Sequence, residues 1–215
     1  MSKIAATNRH HARDRKAFSD QLARTTPRIT PELLLRHDRP TPRYTSYPTA
    51  DRFDPDFGPG HYEAALGRAN AMGSDRPLSL YFHLPFCQHM CTYCGCNVVV
   101  TQRKEKKAAY LDTLIHEIEM VAARLPDRRK IAQLHWGGGT PNDYPTSEMA
   151  RLMRALRDPF EILPTAEMAI EIDPRRSSPH QVARLRELGF NRLSMGIQDF
   201  DPVVQAAVGR IQSYE

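Results

Sequence analysis

From Leu78 onward the chain alternates between short apolar stretches and longer stretches with apolar residues at helical spacing, and this alternation limits the fold more than any other property. The pattern predicts strands near Leu78–Leu84, Lys130–Trp136, Glu167–Asp173 and Arg192–Gln198. It predicts helices near Lys104–Arg124, Thr146–Arg157 and Ser178–Leu188, with a further helix beginning at Asp201. Each strand must reach the next through a helical crossover, which builds a parallel sheet with right-handed connections, in a barrel-like or doubly wound α/β architecture. Such sheets bind ligands beyond the carboxyl ends of their strands. The irregular segments 85–97, 137–142, 173–176 and 198–200 each begin where a predicted strand ends, so function is expected there.

Ahead of this region, Pro40, Pro42, Pro48, Pro55 and Pro59 rule out both a helix and a central strand between His37 and Gly60. Residues 37–76 therefore read as an extended lead-in that ends in a short helix near His61–Met72. Residues 1–36 read as a basic arm. Residues 1–30 carry seven Lys or Arg against Asp14 and Asp20, which equals the net charge of +5 for the whole chain. The rest of the chain is balanced, so nucleic acid is not expected as a partner of the folded part. The arm, which lacks apolar periodicity, is taken as a solvated, mobile extension. A contact for nucleic acid or an acidic partner, and a transit peptide, are the other readings of its charge.

No apolar run approaches the roughly 18 residues a membrane-spanning helix needs. No apolar stretch follows Met1, so secretion is not expected, and a cytoplasmic monomer is the working picture.

Cys87, Cys91, Cys94 and Cys96 are the four cysteines of the chain, and they fall within the single segment Cys87–Cys96. This is a poor layout for disulfides and a good one for a metal centre. The spacing Cys-x3-Cys-x2-Cys lets one loop wrap one iron–sulfur cubane with three thiolates, leaving one iron with an open position. A tetrahedral zinc held by all four cysteines, or by three with His83 or His89, fits the same residues. Buried or redox-active thiols are the third reading.

Other motifs carry both a functional and a plain reading. Gly137-Gly138-Gly139-Thr140-Pro141 can bring backbone close to a ligand and offer free amides to a carboxylate, or form a tight turn with Thr140 as a helix N-cap. Glu171 and Asp173 share one face of a predicted strand, where an ion pair with Arg175 or Arg192 is the plain reading. Gln198 closes the last predicted strand on the face of Ser194 and Gly196 and could be a satisfied polar group. His83 is open between a hydrogen-bonded histidine and a group beside a cofactor.

The cysteine spacing, with Tyr93 just before the third thiol, resembles the signature of the radical S-adenosylmethionine (SAM) superfamily. Several segments are similar to the oxygen-independent coproporphyrinogen III oxidases within it: 43–50 (Arg-Tyr-Thr-Ser-Tyr-Pro-Thr-Ala), 81–87, the extra Cys96, 134–141 and 189–200. The related haem chaperones typically lack the fourth cysteine and the lead-in motif, and a chaperone-like relative is the alternative.

The resemblance implies a partial (β/α)6-type barrel over residues 77–215, with about six βα units in the full domain, so this domain is expected to be incomplete at its C-terminus. It implies a [4Fe-4S] cluster on Cys87, Cys91 and Cys94, and S-adenosylmethionine bound by Tyr81, Tyr93, Gly138, Gly139, Thr140 and Glu171. Gln198 and Arg210 resemble residues that bind a second S-adenosylmethionine molecule, and Cys96 is a candidate catalytic helper. A porphyrinogen substrate and an electron-donor protein are the implied partners.

Overall fold

The computed structural model describes residues 30–38, 49 and 52–214. The chain divides into two units, Met1–Asp56 and Phe57–Glu215.

In the first unit, helix α1 (Pro31–His37) begins at Thr30, whose Oγ1 accepts a hydrogen bond from Leu33 N at 3.2 Å, with Pro31 in the first turn. Glu32 near its start and Arg36 and His37 near its end complement the helix dipole. The sequence reading assigned no element here, since α1 is set by its cap chemistry and buries no residue. The rest of the basic arm, residues 1–29, lies outside the described residues, as does the motif at 43–50 apart from Thr49.

The second unit opens with α2 (Pro59–Asn70), two residues ahead of the expected start, because Pro59 is suited to the first turn of a helix. A parallel sheet follows, of β1 (Leu78–Leu84), β4 (Lys130–Gly138), β5 (Glu161–Ile172) and β6 (Arg192–Met195), hydrogen-bonded in the order β1-β4-β5-β6. Helices α3 (Lys104–Ala123), α4 (Thr146–Arg157) and α5 (Pro179–Glu187) cross between successive strands, and α6 (Pro202–Ala207) follows β6. Sequential neighbours joined by one-handed crossovers place the helices on one side, the arrangement of an open segment of a barrel rather than of a doubly wound sheet.

The two faces of the sheet differ in chemistry. Leu78, Phe82, Leu84, Ile131, Leu134, Trp136, Met168, Ile170 and Ile172 bury against Leu111, Leu114 and Ile118 of α3 and Met149, Leu152, Met153 and Leu156 of α4. Trp136 stacks on Phe82 and meets Phe190 edge-on at 4.9 Å between ring centroids. The other face is polar. Tyr81 pairs with His135, His135 with Ala169, and Ala169 with Arg192 across the strands, and Glu171 pairs with Ser194.

Three strands differ from expectation at their ends, and of these β4 runs on from Trp136 to Gly138. Strand β5 begins at Glu161, not Glu167, because Pro164 falls in a stretch where the register with β4 shifts, and a bulge tolerates the missing amide. Strand β6 stops at Met195, because the chain turns away through Gly196 to Gln198, whose φ is 70°. A further pair, β2 (Phe86–Cys87) and β3 (Val99–Val100), runs parallel and closes the base of the cysteine loop. Two residues are too few to show any periodicity in sequence.

Candidate metal and cofactor site

The cysteine loop springs from the carboxyl end of β1 and is held at both ends. At its base, Val99 N donates to Pro85 O at 2.8 Å and Thr101 N to Cys87 O at 2.9 Å. At its far end the Nε2 of His83 lies 2.8 Å from Asn97 O. A carbonyl can only accept, so Nε2 carries a proton, and in the neutral ring Nδ1 accepts from the Tyr81 hydroxyl at 3.0 Å. His83 is thus a fully partnered histidine, and Tyr110 donates to its carbonyl at 2.7 Å.

The glycine turn at the end of β4 lies against this loop. Gly139 N donates to Leu84 O and Thr140 N to Phe86 O, both at 2.9 Å, and Gly138 N reaches Glu171 Oε2 at 3.2 Å. These amides are already bonded within the chain, so the expectation of free amides for a ligand carboxylate does not hold. The tight-turn reading holds in position, with Thr140 at the N-cap of a single 3-10 turn, Pro141–Asp143, and Pro141 in its first turn. The side chain makes no capping bond, and the Thr140 hydroxyl lies 3.4 Å from Cys87 Sγ instead. Glycine is required at 138 by its φ of 116°, and at 139 because a Cβ would stand 2.7 Å from the carbonyl oxygens of Pro85 and Phe86.

The carboxylates are sorted by partner. Asp173 takes Arg175 through both oxygens and lies 3.5 Å from Arg210 Nη2. Burial, the largest influence on Asp173, pushes its pKa up, but hydrogen bonds from Arg175 and the charges of Arg210 and Arg175 outweigh it and hold the group below its ordinary range. Arg192 pairs with Glu167. Glu171 is left with neither of the expected arginines. It meets His135 Nε2 at 3.2 Å, and His135 stacks on Tyr81 at 5.8 Å.

These elements enclose a cleft of about 310 Å³ lined by all four cysteines, Tyr93, Gly138, Gly139, Thr140, Glu171 and Arg210. Tyr81 and Gln198 are not among its lining residues. Tyr81 contributes through His83 and His135. Gln198 folds toward Gly196, where a Cβ would meet its Nε2 at 2.7 Å and Arg210 Nη2 at 3.8 Å. Burial pushes the Cys87 and Cys96 thiols up, with neighbouring thiols adding to the effect. Burial also raises the Tyr93 phenol, against the opposing charge of Arg210.

The residues present fit an iron–sulfur cluster. Three thiols border one cleft, and Arg210 lies 3.9 Å from Cys91 Sγ while its own buried Nε has no hydrogen-bond partner. Among the described residues no three Cys, His, Asp or Glu side chains converge on a single ion. Sequence reasoning missed the tie from His135 to Glu171 and the network of Gln88, Lys107 and Asp143, in which Asp143 accepts from both Gln88 Nε2 and Lys107 Nζ. Lys107 stands in the charged run Lys104-Glu105-Lys106-Lys107, and the tertiary fold buries it.

Comparison with known proteins agrees with this geometry. The chain is 47% identical over 174 residues to the oxygen-independent coproporphyrinogen III oxidase of Bradyrhizobium diazoefficiens, a match covering 81% of this chain and 38% of that protein. It is 47% identical over 183 residues to the Escherichia coli enzyme, covering 85% and 39%. The chain therefore spans well under half the length of the curated relatives it matches. The solved structure of coproporphyrinogen III oxidase HemN from Escherichia coli, described as a radical SAM enzyme, superimposes with a TM-score of 0.73 at 46% identity, covering 80% of this chain and 38% of that one. Residues 81–215 match the Radical SAM superfamily, and with the cysteine loop, the glycine turn and the parallel sheet all inside that match, the chain belongs to this superfamily.

Proposed function

We propose that this chain carries the cluster- and cofactor-binding part of an oxygen-independent coproporphyrinogen III oxidase, which converts coproporphyrinogen III to protoporphyrinogen IX by oxidative decarboxylation of two propionate side chains to vinyl groups. The observation that carries this reading is the meeting of Cys87, Cys91 and Cys94 with Thr140, Glu171 and Arg210 around one cleft at the carboxyl ends of parallel strands. The superfamily implies a [4Fe-4S] cluster and S-adenosylmethionine. When bound, these supply the one-electron chemistry that generates an organic radical able to take hydrogen from a propionate.

The chain's own residues bind and orient. Cys87, Cys91 and Cys94 would hold the cluster, and Thr140 hydrogen-bonds the first of these thiols. Glu171, fixed by His135 and Gly138 N, presents a carboxylate to the hydroxyls of a ribose, and Tyr81, Gly138, Gly139 and Tyr93 shape the same site. Arg210 and Gln198, beside Gly196, form the subsite for a second S-adenosylmethionine. Cys96, the most exposed of the four thiols, stands free to act as a catalytic helper.

Among the described residues no helix is long and apolar enough to cross a membrane. We place the protein in the cytoplasm as a monomer that receives electrons from a donor protein. The test is anaerobic reconstitution with iron and sulfide, followed by electron paramagnetic resonance of the reduced protein with and without S-adenosylmethionine. A cubane signal that shifts on adding the cofactor is expected. No signal, or one indifferent to the cofactor, sinks the proposal.

A further inference from the structure

Lys107 of α3 and Asp143 of the turn after β4 form an ion pair whose side chains retain 9% and 6% of their exposure. Burying a pair of charges is costly, and two well-packed apolar side chains would serve stability as well or better. What an ionised carboxylate offers that an apolar pair cannot is a directional acceptor with two oxygens. Here Lys107 Nζ takes Oδ2 and Gln88 Nε2 takes Oδ1. Gln88 directly follows Cys87, and Asp143 N donates to Thr140 O at 2.9 Å, next to the hydroxyl that lies 3.4 Å from Cys87 Sγ. A single side chain thus joins α3, the glycine turn and the first residue of the loop beyond β2. Lys107 does not line the cleft and bonds Asp143, which does, so its effect on the site passes through Asp143.

We infer that Asp143, oriented by Lys107, is a positioning residue that fixes Gln88 and thereby sets where the Cys87 thiol stands against the glycine turn. The inference deepens the reading of Cys87 as a cluster ligand and rests on it for its purpose, although the positioning itself exists without metal.

The test uses the cluster-free, reduced chain. The rate of iodoacetamide alkylation at Cys87 is read by peptide mass spectrometry relative to Cys96, in the parent chain, in Gln88→Ala, and in the double variant Lys107→Met with Asp143→Leu. Gln88→Ala removes no charge and no core volume, so it keeps the test decisive should the double variant fail to fold. The expected result is a Cys87 to Cys96 rate ratio about tenfold higher in Gln88→Ala, with a cooperative unfolding transition kept and its midpoint lowered by about a few degrees for the bond lost to Asp143, because the thiol is released from its fixed position. The double variant, if folded, shows the same rise. A ratio unchanged in Gln88→Ala overturns the inference. Iron uptake measured on the same samples separates the two claims. A parent chain that takes up no cluster counts against the proposed function and leaves the alkylation result standing, whereas normal uptake with an unchanged ratio removes the positioning role alone.

Discussion

The Nε2–H of His83 donates to the backbone carbonyl of Asn97 at 2.8 Å, so a side chain on β1 holds the far end of the cysteine loop that begins two residues after it. That carbonyl sets the tautomer, and the Tyr81 hydroxyl, which can donate as well as accept, completes it at Nδ1.

Replacing His83 by Phe keeps a ring against Gly138 and removes both hydrogen bonds. The loss of stability is expected to be about 1–2 kcal/mol, read from urea unfolding of the cluster-free chain. The larger effect is on the loop, with faster alkylation of Cys96 and a shorter lifetime of the reconstituted cluster.

Gly139→Ala places a Cβ 2.7 Å from two backbone carbonyl oxygens, which cannot move aside as a flexible side chain would. The glycine turn and the loop are forced apart, and unfolding should show a loss of about 2 kcal/mol. A neutral result would mean that the turn and the loop are not as closely apposed as described.

Asp173 gives the fold an acid-sensitive joint. Its pKa lies below the ordinary 3.8 when folded, so the stability it contributes is fully present above that value and is lost as the pH falls through the lower folded value. The thermal midpoint of the parent chain should therefore fall as the pH drops below about 4, and in Asp173→Asn this part of the decline should be missing. At neutral pH the same variant leaves the buried Arg210 without its carboxylate, at a cost of about 3 kcal/mol.

Leu156 is fully buried where α4 meets the sheet, so Leu156→Ala should destabilise the chain by about 3 kcal/mol in chemical denaturation. Glu171→Gln removes the charge that His135 and Gly138 N hold in place and should weaken S-adenosylmethionine binding about tenfold by titration calorimetry, with the fold unchanged.

The parts of this structure that were legible in the sequence are those encoded locally. Strand β1 and helix α4 have the expected bounds because alternation and helical spacing run clean through both. The parallel sheet followed from the order of those elements, which left barrel and doubly wound forms open, and the partial barrel was what the family resemblance implied. The cysteine spacing likewise lies within one loop and could be read directly. What stayed hidden depends on residues far apart in the chain. The partner of Glu171 is His135 on the next strand, chosen by register rather than by any neighbouring pattern. The burial of Lys107 depends on the turn that carries Asp143. The early start of β5 depends on a shift in its pairing with β4 that makes room for Pro164.

The short parallel pair of Phe86 with Val99 and Cys87 with Val100 acts as a clasp. Its bonds are backbone bonds, at Cys87 as at Phe86, so the residues it encloses can rearrange while their two ends stay fixed. Stripping the metal would then slacken one loop without melting the domain, and the empty protein would wait in a form ready to be refilled, with no need to fold again around each new cluster.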